Sequence, residues 1–383
     1  MVDPISSSSA TPWSPPAPDA DEDARRRAAT ATRPRPAVVP DPPELPDVHA
    51  ALLVRAAQAA AAIDLATMLR DRGTPLQQRL QVFFDAAKPT YRVPVGDNEA
   101  VEVEVAAPFR IAVTRDHNVQ PPRGRSDPLV EAPRRRYEAQ ETTVRGHHDE
   151  LQAIARRIGI PSVEEIVVGR GTPAQVQALT QALLYANKLP PPQPGESLEV
   201  RVRRMMCDYG IGFDCSGYVQ RAFLSAHGVT RAQAGFGKVI NESLSGLSRP
   251  RFSRVAPEDS RPGDILSLGP PPLGTTGHRL IVFDAHEASP AELDRYSVHG
   301  AGALDEHVTV LVVDSSFGSG GDPAKGGLER QTWLYEAASK RWGVVSPARV
   351  EGTREFPENV TMASMPYDGV HPLIGVFHYS EKH

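Results

Sequence analysis

The chain has 383 residues, 40% hydrophobic and 23% charged, which is more than one typical core needs and far from a miniprotein. A net charge of -5 and a pI near 6.2 give no long-range attraction to nucleic acid or anionic membrane, so no nucleic-acid partner is expected despite the local run Arg134-Arg135-Arg136. Cys207 and Cys215 are the only two cysteines, too few for a disulfide framework. The first residues, Met1-Val2-Asp3-Pro4 and the Ser- and Pro-rich stretch after them, hold no apolar segment of the kind a secretory leader requires, and no run of about 18 apolar residues occurs. The expectation is a chain without a transmembrane segment, cytoplasmic when made, whose export would use a non-classical secretion or injection route.

Residues 1–46 are rich in Pro, Ala, Ser, Asp and Arg and poor in large apolar side chains, so they cannot offset chain entropy by burial and are expected to form a disordered tail. An alanine-rich segment over 47–72, closed by Gly73, and a second over 75–88 carry helix start and stop chemistry. Val101-Glu102-Val103-Glu104-Val105 alternates strictly and 109–114 is β-branched and apolar, which predicts a small strand pair before a polar connector running to about residue 140. Further helices are predicted over 147–158 and from Thr172-Pro173 to near Leu189, with a short apolar run at 166–168 and a break at Pro190-Pro191-Pro192. Residues 47–195 therefore read as a mainly helical accessory region with a short strand pair.

Two local signals in that region are explained without ligands. His147-His148-Asp149-Glu150 is an acidic helix start with no second ligand cluster, so no metal is assigned. Gly169-Arg170-Gly171-Thr172-Pro173-Ala174 is a Thr cap with Pro at the first helical position, since no βαβ unit surrounds it.

From Leu198 a helix leads to Cys215, and strands follow at roughly 264–268, 278–284, 308–314 and 373–379, an α+β order that makes 196–383 the second domain. Cys215 opens a helical stretch capped by Asp214 and stopped by Gly228. At a helix N-terminus the backbone N–H groups and the dipole favour thiolate, and the same N–H groups can stabilise an oxyanion.

Three motifs in order carry a family resemblance. Tyr209-Gly210-Ile211-Gly212-Phe213-Asp214-Cys215-Ser216-Gly217 resembles the nucleophile segment of the NlpC-type cell-wall cysteine peptidases, a branch of the papain-like fold. Arg261-Pro262-Gly263-Asp264-Ile265-Leu266 resembles their Pro-Gly-Asp turn, and Gly277-His278-Arg279-Leu280-Ile281-Val282 their histidine strand. The resemblance covers about residues 200–320, extending at most to 380. It implies a nucleophile helix packed on an antiparallel sheet and a cofactor-free cysteine hydrolase. Such an enzyme would cleave amide bonds in peptidoglycan stem peptides through an acyl-thioester on Cys215.

A thiol hydrolase needs a base near neutral pH, and His278 is the candidate. Alternation puts His278, Leu280, Val282 and Asp284 on one strand face, expected to be the face toward the helix. The family's third polar group usually follows a short hairpin; here 285–307 is inserted, and Asp314 falls at the orienter's position, ahead of Asp284, His299 and His307. Ending an apolar row, Asp314 needs a partner. The resemblance implies that Tyr209 and Ser216 line the substrate cleft, while Asp214 and Asp264 read as a cap and a turn acid. The glycine-rich loop at 318–327 is expected to border the cleft.

Two other readings stand beside this one. The same chemistry serves a transferase or deamidase acting on a protein side chain, and the departure at the third position fits a non-catalytic binding module. A lytic effector delivered from outside is one form of the hydrolase reading.

Overall fold

The computed structural model describes residues 75–96, 99–110, 128–236, 251–269, 277–318, 322–351, 354–364, 366 and 373–380. The expected tail and the helix over 47–72 lie outside these residues. The described residues belong to one compact unit, with mixed α+β structure.

Helix α1 (Leu76–Ala86) begins after Pro75 and buries Leu80, Phe83 and Phe84. Strand β1 (Thr90–Pro94) pairs antiparallel with β2 (Ala100–Glu104). The partner of β2 precedes it in the chain, and Phe109 forms a single parallel bridge to Phe213, while 111–114 of the expected second strand lie outside the described residues. The expected polar connector ending near residue 140 is corrected, since helix α2 (Pro128–Arg157) runs through its latter part. Arg135, Arg136, Glu138 and Ala139 are exposed on this helix, and further along it Val144, Leu151, Ile154 and Ala155 are buried in the core.

A short helix α3 (Glu164–Val167) takes the apolar run, and α4 (Pro173–Tyr185) starts with a Thr172–Gln175 capping box. Helix α5 (Leu198–Asp208) is capped by Ser197, and α6 (Cys215–His227) by Asp214, whose carboxylate accepts from Gly217 N–H. Gly228 ends α6 in the left-handed region at φ 62°, a conformation glycine adopts without a Cβ penalty. A one-turn helix α7 (Arg231–Ala234) follows.

The remainder builds an eight-stranded antiparallel sheet. Its strands are β3 (Phe252–Val255), β4 (Ile265–Leu268), β5 (His278–Glu287), β6 (Val308–Phe317), β7 (Gly327–Glu336), β8 (Arg341–Ser346), β11 (Asn359–Ala363) and β12 (Leu373–Tyr379). The order is β11-β8-β7-β6-β5-β4-β12-β3, and β9 (Arg349–Glu351) with β10 (Arg354–Phe356) forms a separate hairpin. The four expected strands are present with longer β5 and β6. β7 escapes pattern reading because Glu329-Arg330-Gln331-Thr332 interrupts any apolar alternation. The insertion 285–307 holds helix α8 (Pro290–Tyr296) with a Ser289–Glu292 capping box.

Helix α6 packs on one sheet face, where Tyr218, Val219, Ala222 and Phe223 share a core with Ile265 and Ile281. That core also contains Leu80, Leu151 and Leu179, so the expected division at 195/196 does not separate two cores. The opposite face carries a second cluster including Leu266, Leu280, Val282, Val313, Phe317 and Trp333. Among the described residues no helix is long and apolar enough to cross a membrane.

Candidate active site around Cys215

The segment before Cys215 is held by backbone bonds from regions far away in sequence. Phe213 N–H donates to Pro108 O at 3.1 Å, Arg110 N–H donates to Phe213 O at 2.8 Å, and Ser316 Oγ donates to the same carbonyl at 2.8 Å. Asp214 N–H donates to Gly169 O at 3.0 Å. Gly169 itself is left-handed at φ +78°, and a Cβ on Gly217 would stand 2.2 Å from its carbonyl oxygen. The start of α6 can therefore approach this loop only with glycine at 217. Arg110 anchors the clamp from below: it is 1% exposed, bonds Val167 O through Nε at 2.7 Å and pairs with Glu141 at 2.7 Å.

Cys215 is a free, partly buried thiol at the first position of α6. Burial, reinforced by the Asp214 charge, pushes its pKa up to about 11, opposed by a hydrogen bond from Arg279 N–H and by the Arg279 charge. Ser216 is buried, with Oγ 4.0 Å from the sulfur. Burial also raises the Asp214 pKa to about 6, against its Gly217 bond and the nearby Arg170 and Arg110 charges. Cys207 is the second free thiol, buried and pushed up to about 12 by the loss of solvent. The two cysteines are unbridged.

His278 lies one residue from the backbone group that meets the sulfur, yet its strand face is the other one. In the β4–β5 ladder His278 opposes Leu268 and Leu280 opposes Leu266, while Arg279 opposes Ser267 and Ile281 opposes Ile265. Leu266, Leu268, Leu280 and Val282 belong to the cluster away from α6, and the His278 ring sits 5.0 Å from Phe317 of that cluster. The expected orientation of His278, Leu280 and Val282 toward the helix is thus corrected. Alternation is right along 278–282, but both faces of β5 are apolar and the pattern does not say which meets the helix. A register shift between Val282 and Asp284 then takes Asp284 out of the row.

Asp314 does lie on the helix side, opposite Ile281 on β5 and Arg330 on β7. Its two oxygens take Arg330 Nε at 2.6 Å and Nη2 at 2.8 Å. The guanidinium stands 3.4 Å from the Phe283 ring centroid and 4.4 Å from that of Phe84, and its Nη1 reaches Gln81 at 2.5 Å. The partner that Asp314 needs is therefore Arg330, in a bidentate pair that also docks α1. The structure does not bring Asp314 and His278 together: they lie on opposite sheet faces, three register positions apart.

Tyr209 is equally committed elsewhere. Its hydroxyl donates to Glu150 at 2.7 Å and its ring stacks on His147 at 4.4 Å. Lys188 also holds Glu150, and these bonds keep the carboxyl below its ordinary range against the upward push of burial. Of the residues expected to line the cleft, Ser216 adjoins the sulfur and Tyr209 serves a polar cluster between α2 and α5. Two of the other candidates are paired as well: Asp284 meets His286 at 3.2 Å, and His307 meets Glu287 at 2.8 Å. Asp264, in the Pro-Gly-Asp turn, accepts from Arg261 N–H at 2.9 Å and meets His378 Nδ1 at 2.8 Å, a turn role as expected.

A hollow of about 470 Å³ opens between 193–197 and 322–324, with Arg204 in its wall. Its lining includes none of Cys215, His278 and Asp314. The residue that pattern reading missed beside the thiol is Arg279; only its position next to His278, on the alternate face, pointed to it. No family model, no curated protein and no solved structure matches this chain.

Proposed function

We propose that this chain is a papain-like cysteine hydrolase of the NlpC type that cleaves amide bonds in peptidoglycan stem peptides. The observation that carries the reading is Cys215 at the N-terminus of a buried helix, its preceding backbone fixed by three separate segments and its sulfur against the start of the His278 strand.

In this reading the Cys215 thiolate attacks the amide carbonyl carbon, and the N–H groups of the first turn of α6 receive the oxyanion. Collapse breaks the C–N bond, the amine leaves with a proton, and water then attacks the thioester to release a carboxylate and restore the thiol. His278 carries the proton, which requires its imidazole to come round the N-terminal end of β5 to the sulfur. Asp314 does not orient it, because Arg330 occupies both its oxygens.

The test is digestion of purified peptidoglycan by wild type and by Cys215→Ala, with products read by mass spectrometry. New stem-peptide fragments from wild type alone are expected. A second reading, a non-catalytic binding module, is favoured by the placement of the His278 ring and by a thiol pushed up to about 11. It predicts intact wall from both proteins together with retention of both on the insoluble wall.

A further inference from the structure

The reading of Cys215 as a nucleophile leaves open what stabilises its anion, and the nearest cation is not an imidazole. Arg279 shares the α6 side of β5 with Ile281 and is partly buried. Its Nη1 donates to Leu268 O at 2.8 Å and to His278 O at 2.9 Å, two neutral carbonyls that fix the group without neutralising it. A Cβ at Gly277 would stand 2.2 Å from Leu268 O and 3.2 Å from Arg279 Nη1, so the missing side chain at 277 opens the space this anchor occupies.

Among the described residues Arg279 forms no ion pair with a carboxylate, whereas Arg110, Arg204, Arg221 and Arg330 each do. The acidic group whose charge it feels is Cys215, and burial otherwise holds its pKa below the ordinary arginine value. A positioned guanidinium without a carboxylate partner, on the side of the sheet where α6 packs and carries Cys215 at its start, is an anion site with one occupant available.

We propose that Arg279 is the countercharge that meets the Cys215 thiolate when it forms, a positioning residue acting through its guanidinium and its backbone N–H. This rests on the nucleophile reading but is measured without turnover. In a Cys207→Ser background, the rate of Cys215 alkylation by iodoacetamide is followed against pH for the wild-type sequence, Arg279→Lys, Arg279→Gln and His278→Ala, with circular dichroism confirming the fold. Loss of the cation is expected to raise the titration midpoint by at least about one pH unit and to slow alkylation at pH 8.5 about tenfold, with Arg279→Lys restoring most of it.

A comparison on the unaltered protein needs no folded variant. Iodoacetate, being an anion, is expected to label Cys215 faster relative to iodoacetamide than it labels free cysteine. Equal midpoints for the wild-type sequence and Arg279→Gln, or a relative iodoacetate rate no higher than for free cysteine, overturns the proposal. If His278→Ala alone moves the midpoint, the imidazole holds the anion and the hydrolase reading stands without Arg279. A midpoint that depends on Arg279 in a protein that leaves peptidoglycan intact keeps this inference and removes the hydrolase.

Discussion

At the scale of single residues, Asp314 illustrates how a buried acid is claimed by its nearest cation. It is 1% exposed, burial raises its pKa, and the Arg330 bonds oppose that rise. Removing one partner leaves the other charge without compensation, at a cost of about 3–5 kcal/mol for a fully buried pair, toward the lower end here because Arg330 is partly exposed. Asp314→Ala should therefore lower the urea midpoint markedly while leaving Cys215 alkylation in the folded protein unchanged. A loss of alkylation without loss of stability would return Asp314 to the site. His227, at the last turn of α6, gives a pH signature. Burial, seconded by the Arg79 charge, pulls its pKa from 6.5 to about 4. The unfolded chain takes up a proton below 6.5 that the fold refuses. Its contribution to stability is complete above pH 6.5 and is lost as pH falls toward 4. Urea midpoints across that window should fall with pH, and His227→Gln should flatten the fall.

At the scale of elements, the start of α6 depends on a loop from before the cysteine region. Gly217→Ala would drive a Cβ against Gly169 O at 2.2 Å, and the atom it meets is backbone that no side-chain rotation can move aside. The variant should lose stability and speed proteolysis at the Gly169 loop, read by limited digestion; a midpoint equal to wild type would show that the loop yields. The chain announces much of this architecture. Asp214 before Cys215 and Gly228 after His227 mark α6, and Thr172 before Pro173 marks α4, because caps are local chemistry. The strands at 278 and 308 declare themselves by β-branched runs. Which face of β5 meets the helix is not local, since Ile281 and Leu280 are equally apolar, so His278 was legible as a candidate but not in its direction. The pairing of Arg330 with Asp314 spans 16 residues across a strand ladder whose register no short pattern contains. Pro108 and Gly169 are silent for the same reason: their contribution is a backbone carbonyl.

For the whole molecule, the accessory residues are part of the core that supports the thiol. Leu80 and Leu179 share one apolar cluster with Phe223 and Ile281, and Pro108 and Gly169 bind the segment before Cys215. A fragment spanning 196–383 should accordingly lack a cooperative urea transition and bind a hydrophobic dye; a cooperative fragment with wild-type Cys215 reactivity would contradict this dependence. A hydrolase acting through Cys215 forms a thioester between its sulfur and a stem-peptide acyl group. Acid quenching shortly after mixing with purified stem peptides, followed by mass spectrometry of the peptide bearing Cys215, tests it directly. An added acyl mass on Cys215 that decays with the appearance of free carboxylate product is expected. Product formation with no adduct on Cys215, or turnover that survives Cys215→Ala, would contradict it.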